Sequence, residues 1–135
     1  VATPDGPVQM LATHFGLGPR ERVRQARELL GPDWLGGIEP EAPTVVCGDF
    51  NSTTRSAAMR LLRRRLTDPA IGRENRPRRS FVRLARIDHV LIAGSIRPVR
   101  LRTVATAQAR VASDHLPVWA DLRTDSKPAS ASPGA

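Results

Sequence analysis

Residues Ala42–Arg55 read APTVVCGDFNSTTR, a run of small and β-branched apolar residues that stops abruptly on Gly48-Asp49-Phe50-Asn51. Thr44–Cys47 has the make-up of a strand buried on both faces. Gly48 lets the chain turn with no side chain in the way. Alternation then places Asp49 and Asn51 on one face and Phe50 on the other. The spacing therefore predicts a carboxylate and a carboxamide presented together at the end of a sheet, with Phe50 anchored beneath. Taken alone, the same residues also fit a capped turn leading into the next helix.

Upstream of this strand, Val8–Phe15 (VQMLATHF) reads as a strand ending on His14. Gly18-Pro19 then opens a helix, RERVRQARELL, with Val23, Ala26 and Leu30 on one face and Gly31-Pro32 as its stop. Gly36–Pro43 is a loop leading to the strand Thr44–Phe50. Downstream, Ser52-Thr53-Thr54 offers capping hydroxyls to a second helix over Ser56–Leu66, with Ala58, Leu61, Leu62 and Leu66 as its apolar positions. Thr67–Arg79 is a Pro/Arg/Gly-rich loop without periodicity. Three more strands are expected at Ile87–Ala93, Val99–Thr106 and Leu116–Leu122, followed by a tail, residues 124–135, of disordered composition. Strands alternating with helices and then running in succession indicate a mixed α/β layer structure.

The chain has 135 residues, enough for one domain with a real core, and 40% of them are apolar. Its net charge of +8 is almost entirely arginine, since Lys127 is the only lysine. Eleven arginines lie between Arg55 and Arg86 against only Asp68 and Glu74. That balance suits an anionic partner such as nucleic acid, a phosphorylated ligand or an acidic membrane surface; a solvated, arginine-biased surface is the plain alternative. The single Cys47 excludes an internal disulfide framework. Only 4% of residues are aromatic, so a reader of stacked bases is disfavoured. No compartment is assigned.

Acid, amide and imidazole groups fall at strand ends in four places: His14, Asp49 with Asn51, Asp88, and Asp114 with His115. A carboxylate inside RIDHVLI is costly to bury unless it is paired or holds a cation. Convergence of several such groups on one site is the economical explanation. Oxygen ligands without a cysteine cluster suit Mg²⁺, with Mn²⁺ or Ca²⁺ as alternatives. Imidazoles beside carboxylates supply acid and base groups near neutral pH. The chain contains no GxSxG, P-loop or dinucleotide fingerprint. Together these features point to metal-assisted cleavage of a phosphate ester by an activated water. Asp88 next to Arg86 also fits a structural ion pair. His89, on the opposite face from Asp88, is expected to pack rather than react.

Four segments in order, THF (Thr13–Phe15), GDFN (Gly48–Asn51), RIDHVLI (Arg86–Ile92) and SDHLPV (Ser113–Val118), resemble the endonuclease/exonuclease/phosphatase superfamily. Its members include pancreatic-type deoxyribonucleases, abasic-site endonucleases, neutral sphingomyelinases and inositol-polyphosphate phosphatases. Within the superfamily the chain looks most like the uncharacterised bacterial branch, whose THxGL…ER..Q segment resembles Thr13–Gln25. The resemblance implies an α/β fold, a four-layer α/β/β/α sandwich of two mixed sheets. It also implies roles. Asp49 would orient the attacking water near a metal, and Asn51 would bond the phosphoryl group. Asp114 would bind the metal, and His115 would act as base with Asp88 fixing its tautomer. His14 would assist the leaving group. Arg79 and Arg83, in the arginine-rich segment, are candidates for substrate binding.

Family members begin with an Asn-bearing strand, and a following strand ends on a glutamate that is a principal metal ligand. No counterpart occurs here, and Glu21 is no substitute because it lies on the helix after His14. Residues 1–123 are therefore expected to be the C-terminal portion of such a domain, with its N-terminal strands absent, to bind metal poorly and to be inactive alone. The substrate is a phosphate ester: nucleic acid, phospholipid head group or inositol phosphate. No obligate protein partner is evident. The alternative is a catalytically inactive basic scaffold that binds nucleic acid or phosphorylated ligands.

Overall fold

The computed structural model describes residues 1–71, 80–81 and 85–125. A small hairpin, β1 (Ala2–Thr3) and β2 (Gly6–Pro7), precedes β3 (Gln9–His14). Helix α1 (Pro19–Leu29) carries the chain to β4 (Thr44–Asp49), which lies parallel to β3. Helix α2 (Ala57–Leu62) follows, then β5 (Asp88–Ala93), antiparallel to β4. These strands form one mixed sheet in the order β3-β4-β5. β6 (Ile96–Thr103), α3 (Ala107–Ala112) and β7 (Val118–Thr124) complete the described chain, with β6 and β7 paired antiparallel as a second sheet.

Strand β4 is central, and its alternation builds two cores. Val46 faces the helices, where it packs with Phe15, Leu29, Phe50, Met59 and Leu62. Val45 faces the other way, with Val90, Ile92, Ile96 and Leu101, between the two sheets. The result is a helix–sheet–sheet sandwich. It leaves both faces of β4 dry, which is why Thr44–Val46 is buried throughout. The expected α/β sandwich of mixed sheets is thus present, and of its helices α3 buries none of its residues.

Several boundaries differ from those the sequence suggests. The cap of α2 is Ser56, whose Oγ accepts from Met59 N, rather than Ser52–Thr54. The helix ends at Leu62 because its last turn tightens into bonds from Arg64 to Leu61 and from Arg65 to Leu62. Strand β6 starts at Ile96, earlier than expected, because Gly94 at φ +72° makes the turn out of β5. Helix α3 was not foreseen: AQARVA has no apolar stripe, and nothing in it is buried. The expected tail reaches into β7 through Thr124, and its residues 126–135 lie outside the described part.

Candidate active site

Asp49 ends β4 and Asp88 starts β5, and the two are directly opposite in the antiparallel register. Phe50 N donates to Ile87 O at 2.9 Å. That bond makes Asp49 and Asp88 a non-hydrogen-bonded pair, the arrangement that brings opposite side chains closest. Like charges so placed repel. His115, from the loop before β7, lies beside both: its Nδ1 is 3.0 Å from one Asp88 oxygen and its Nε2 is 3.8 Å from Asp49. One ligand atom from each of the three lies within 4.8 Å of the others. Burial disfavours charge on His115, but the Asp88 hydrogen bond and the charges of Asp88, Asp49 and Asp114 outweigh it and raise its pKa.

Parallel pairing sets His14 level with Asp49, and its Nε2 is 3.6 Å from the Asp49 carboxylate, largely in solvent. Gly48 holds φ +142°, and a Cβ there would run into the carbonyl of Thr13. Glycine is thus what allows β3 and β4 to bring their ends together. Asn51 is not a continuation of the strand. It takes φ +46° and turns, with its own N–H on Asp49 Oδ1 (2.7 Å) and its side-chain amide on Phe15 O (2.7 Å). Asp49 and Asn51 still meet at the sheet's end, through this turn instead of through alternation.

Asp114 is exposed and lies outside the three-residue cluster; its carboxylate is 3.5 Å from the Ser113 hydroxyl, and its charge acts on His115. Arg79 and Arg83 lie outside the described residues. Asp88 does not pair with Arg86. Arg86 reaches Asp68 with two nitrogens, at 2.5 and 3.3 Å, leaving Asp88 for His115. His89 packs, as expected: it is 1% exposed, edge-on to Phe50, with Nε2 2.8 Å from Ser52 O. Two contributors were not singled out as site residues from the sequence. Phe81 lies against the His115 ring at 4.9 Å between centroids, and buried Asp68 anchors Arg86. The sole signal for Asp68 was an acid isolated among arginines.

Residues 3–115, more than half of the chain, match the sequence profile of the Endonuclease/Exonuclease/phosphatase family. None of the curated proteins compared gives a significant match. A conserved protein of unknown function from Enterococcus faecalis V583 superposes with a TM-score of 0.69 at 18% identity, over 86% of this chain and 50% of that one. The human Nocturnin catalytic domain with bound sulfate gives 0.69 at 19% identity, over 84% and 46%. The mannosyl-6-phosphatase of Bacteroides thetaiotaomicron VPI-5482 gives 0.66 at 20%, over 84% and 50%. At these identities the likeness is one of fold, and the chain spans about half the length of these solved relatives.

Proposed function

Because the chain belongs to the endonuclease/exonuclease/phosphatase family, we propose that it serves the hydrolysis of a phosphate ester by water with the help of a divalent cation. The observation that carries this reading is the opposed pair Asp49 and Asp88 with His115 in reach. Two carboxylates face to face are relieved by a cation, and oxygen donors suit Mg²⁺, with Mn²⁺ or Ca²⁺ as alternatives. Asp88 is committed to His115, so Asp49 would hold the ion, joined by Asp114 from the loop. Bound there, the cation would polarise a phosphoryl oxygen and make water more acidic.

The protein's own groups would do the rest. Asp88 accepts the Nδ1 proton of His115, which leaves Nε2 bare to take the proton of the attacking water. Asn51, held by Phe15 O, would use its remaining amide hydrogen on the phosphoryl oxygen as charge builds. His14 would assist the leaving oxygen by giving it a proton. One P–O bond forms to water while the ester P–O bond breaks. The substrate candidates are nucleic acid, a phospholipid head group or an inositol phosphate, with Arg79 and Arg83 as candidate contacts.

The domain reading belongs with this one. Among the described residues β3 pairs only with β4, and a cavity of about 360 Å³ lined by Met10, Phe15, Leu29 and Trp34 lies along it. An open strand edge beside apolar surface calls for further strands. Residues 1–123 would then be the C-terminal portion of the sandwich, completed by the remaining strands and their glutamate.

The test is turnover of a diester, bis-p-nitrophenyl phosphate, and of its monoester by the polypeptide that the complete reading frame encodes. Mg²⁺-dependent hydrolysis is expected, with His115→Ala lowering kcat about 10²–10⁴-fold. Absence of EDTA-sensitive turnover on both substrates would overturn the reading. Salt-sensitive, EDTA-indifferent binding of nucleic acid would replace it with the inactive scaffold.

A further inference from the structure

We propose that Ser80 is the positioning residue that holds Asp88 and His115 in register. The proposal rests on the reading of those two as a working acid–base pair. They are separated by 27 residues, Asp88 at the start of β5 and His115 in the loop before β7, so no single element sets their distance. Asp88 begins β5, and β4 occupies one edge of that strand. On the opposite edge Thr67 pairs with Ile92, far from Asp88. At the Asp88 end that edge is met by a side chain: Ser80 Oγ accepts from Asp88 N at 3.1 Å and from Ile87 N at 3.3 Å.

The same residue reaches the other partner. Ser80 O accepts from Leu116 N, next to His115, at 2.7 Å. Its successor Phe81 forms a backbone bridge to His115 and sets its ring against the imidazole at a tilt of 52°. Ser80 N is tied to Ala85 O at 2.9 Å, and its residue is 0% exposed, so this reference point does not move with solvent. A hydroxyl on one side and a carbonyl on the other thus fix both members of the pair to one buried residue. Alanine would strip the N–H groups of Ile87 and Asp88 of their acceptor, the second belonging to the residue whose carboxylate orients His115.

The experiment compares Ser80→Ala, Ser80→Thr and Ser80→Cys in the full-length protein. The primary readout is the low-field Nδ1–H proton resonance of His115, assigned by its disappearance in Asp88→Asn; kcat and KM on bis-p-nitrophenyl phosphate and the Tm accompany it. Ser80→Ala is expected to lose or broaden the resonance and to lower kcat at least about tenfold with KM little changed, as removal of a supporting hydrogen bond does at other sites. Threonine keeps the oxygen and should restore both. If alanine prevents folding, cysteine, which fills the space but accepts weakly, should show the same loss. The proposal is overturned if the resonance and kcat persist in a folded Ala or Cys variant, or if threonine fails to rescue while its Tm is native. A resonance that tracks Ser80 in a protein without turnover would sink the phosphoesterase reading and leave this one standing; turnover with a resonance indifferent to Ser80 would do the reverse.

Discussion

His115 is an imidazole held between carboxylates, and its protonation sets both chemistry and stability. In the proposed role of base it would have to be neutral, and its pKa is raised above the ordinary 6.5. The acid limb of kcat/KM is therefore expected above that value, with activity rising as pH rises through it. Asp88→Asn removes the strongest of the raising influences, so the limb should move to lower pH while kcat falls. The stability side has the opposite sense. A raised folded pKa contributes fully below 6.5 and is lost as pH climbs through the raised value, so urea unfolding of Asp88→Asn should show its deficit at low pH and little of it well above. Gly48 is the other decisive single residue. Gly48→Ala combines a left-handed backbone with a Cβ driven into the Thr13 carbonyl, and should cost about 2–4 kcal/mol in denaturant unfolding.

At the level of elements, the segment after α2 clamps β5 from its outer edge. Thr67 pairs with Ile92, and Asp68, buried next door, takes Arg86 and stands 3.7 Å from His89. Burial alone would push the Asp68 carboxyl up, yet His89 and the Arg86 bonds hold it well below the ordinary 3.8. Its contribution is thus present above that pH and lost as pH falls toward the depressed value. Asp68→Asn leaves the Arg86 charge without its partner and should destabilise by about 3–5 kcal/mol at neutral pH, with a shallower loss in acid than the wild type. Acid unfolding followed by circular dichroism measures both. The shorter lever at this scale is the α2 cap: Ser56→Ala should cost about 1 kcal/mol.

For the molecule as a whole, a cation that binds only the folded state stabilises it by mass action, about 2.7 kcal/mol at a hundred times Kd. Mg²⁺ should raise the Tm of the protein from the complete reading frame and leave Asp49→Ala unmoved. Residues 1–135 by themselves should bind Mg²⁺ weakly and show no turnover, because among the described residues β3 pairs only with β4 and the glutamate that the family resemblance implies has no match in the sequence. Robust Mg²⁺-dependent hydrolysis by these residues alone would refute the half-domain reading. Among the described residues no helix is long and apolar enough to cross a membrane.

Periodicity sufficed for α1, β4 and β5, because each buries a face and burial leaves a pattern in the residues. Motif chemistry marked Asp49, Asp88 and His115 from residue type and strand-end placement. It failed for α3, which buries nothing, and for Asn51, whose position comes from a left-handed turn held by Phe15 and not from alternation. The choice of partners was invisible in one dimension: Arg86 neighbours Asp88 in the chain but pairs with Asp68, and Asp88 turns to His115. Pairing energies depend on distance and burial in space, and those are set by how β4, β5 and the loop before β7 pack, which no local stretch of residues encodes.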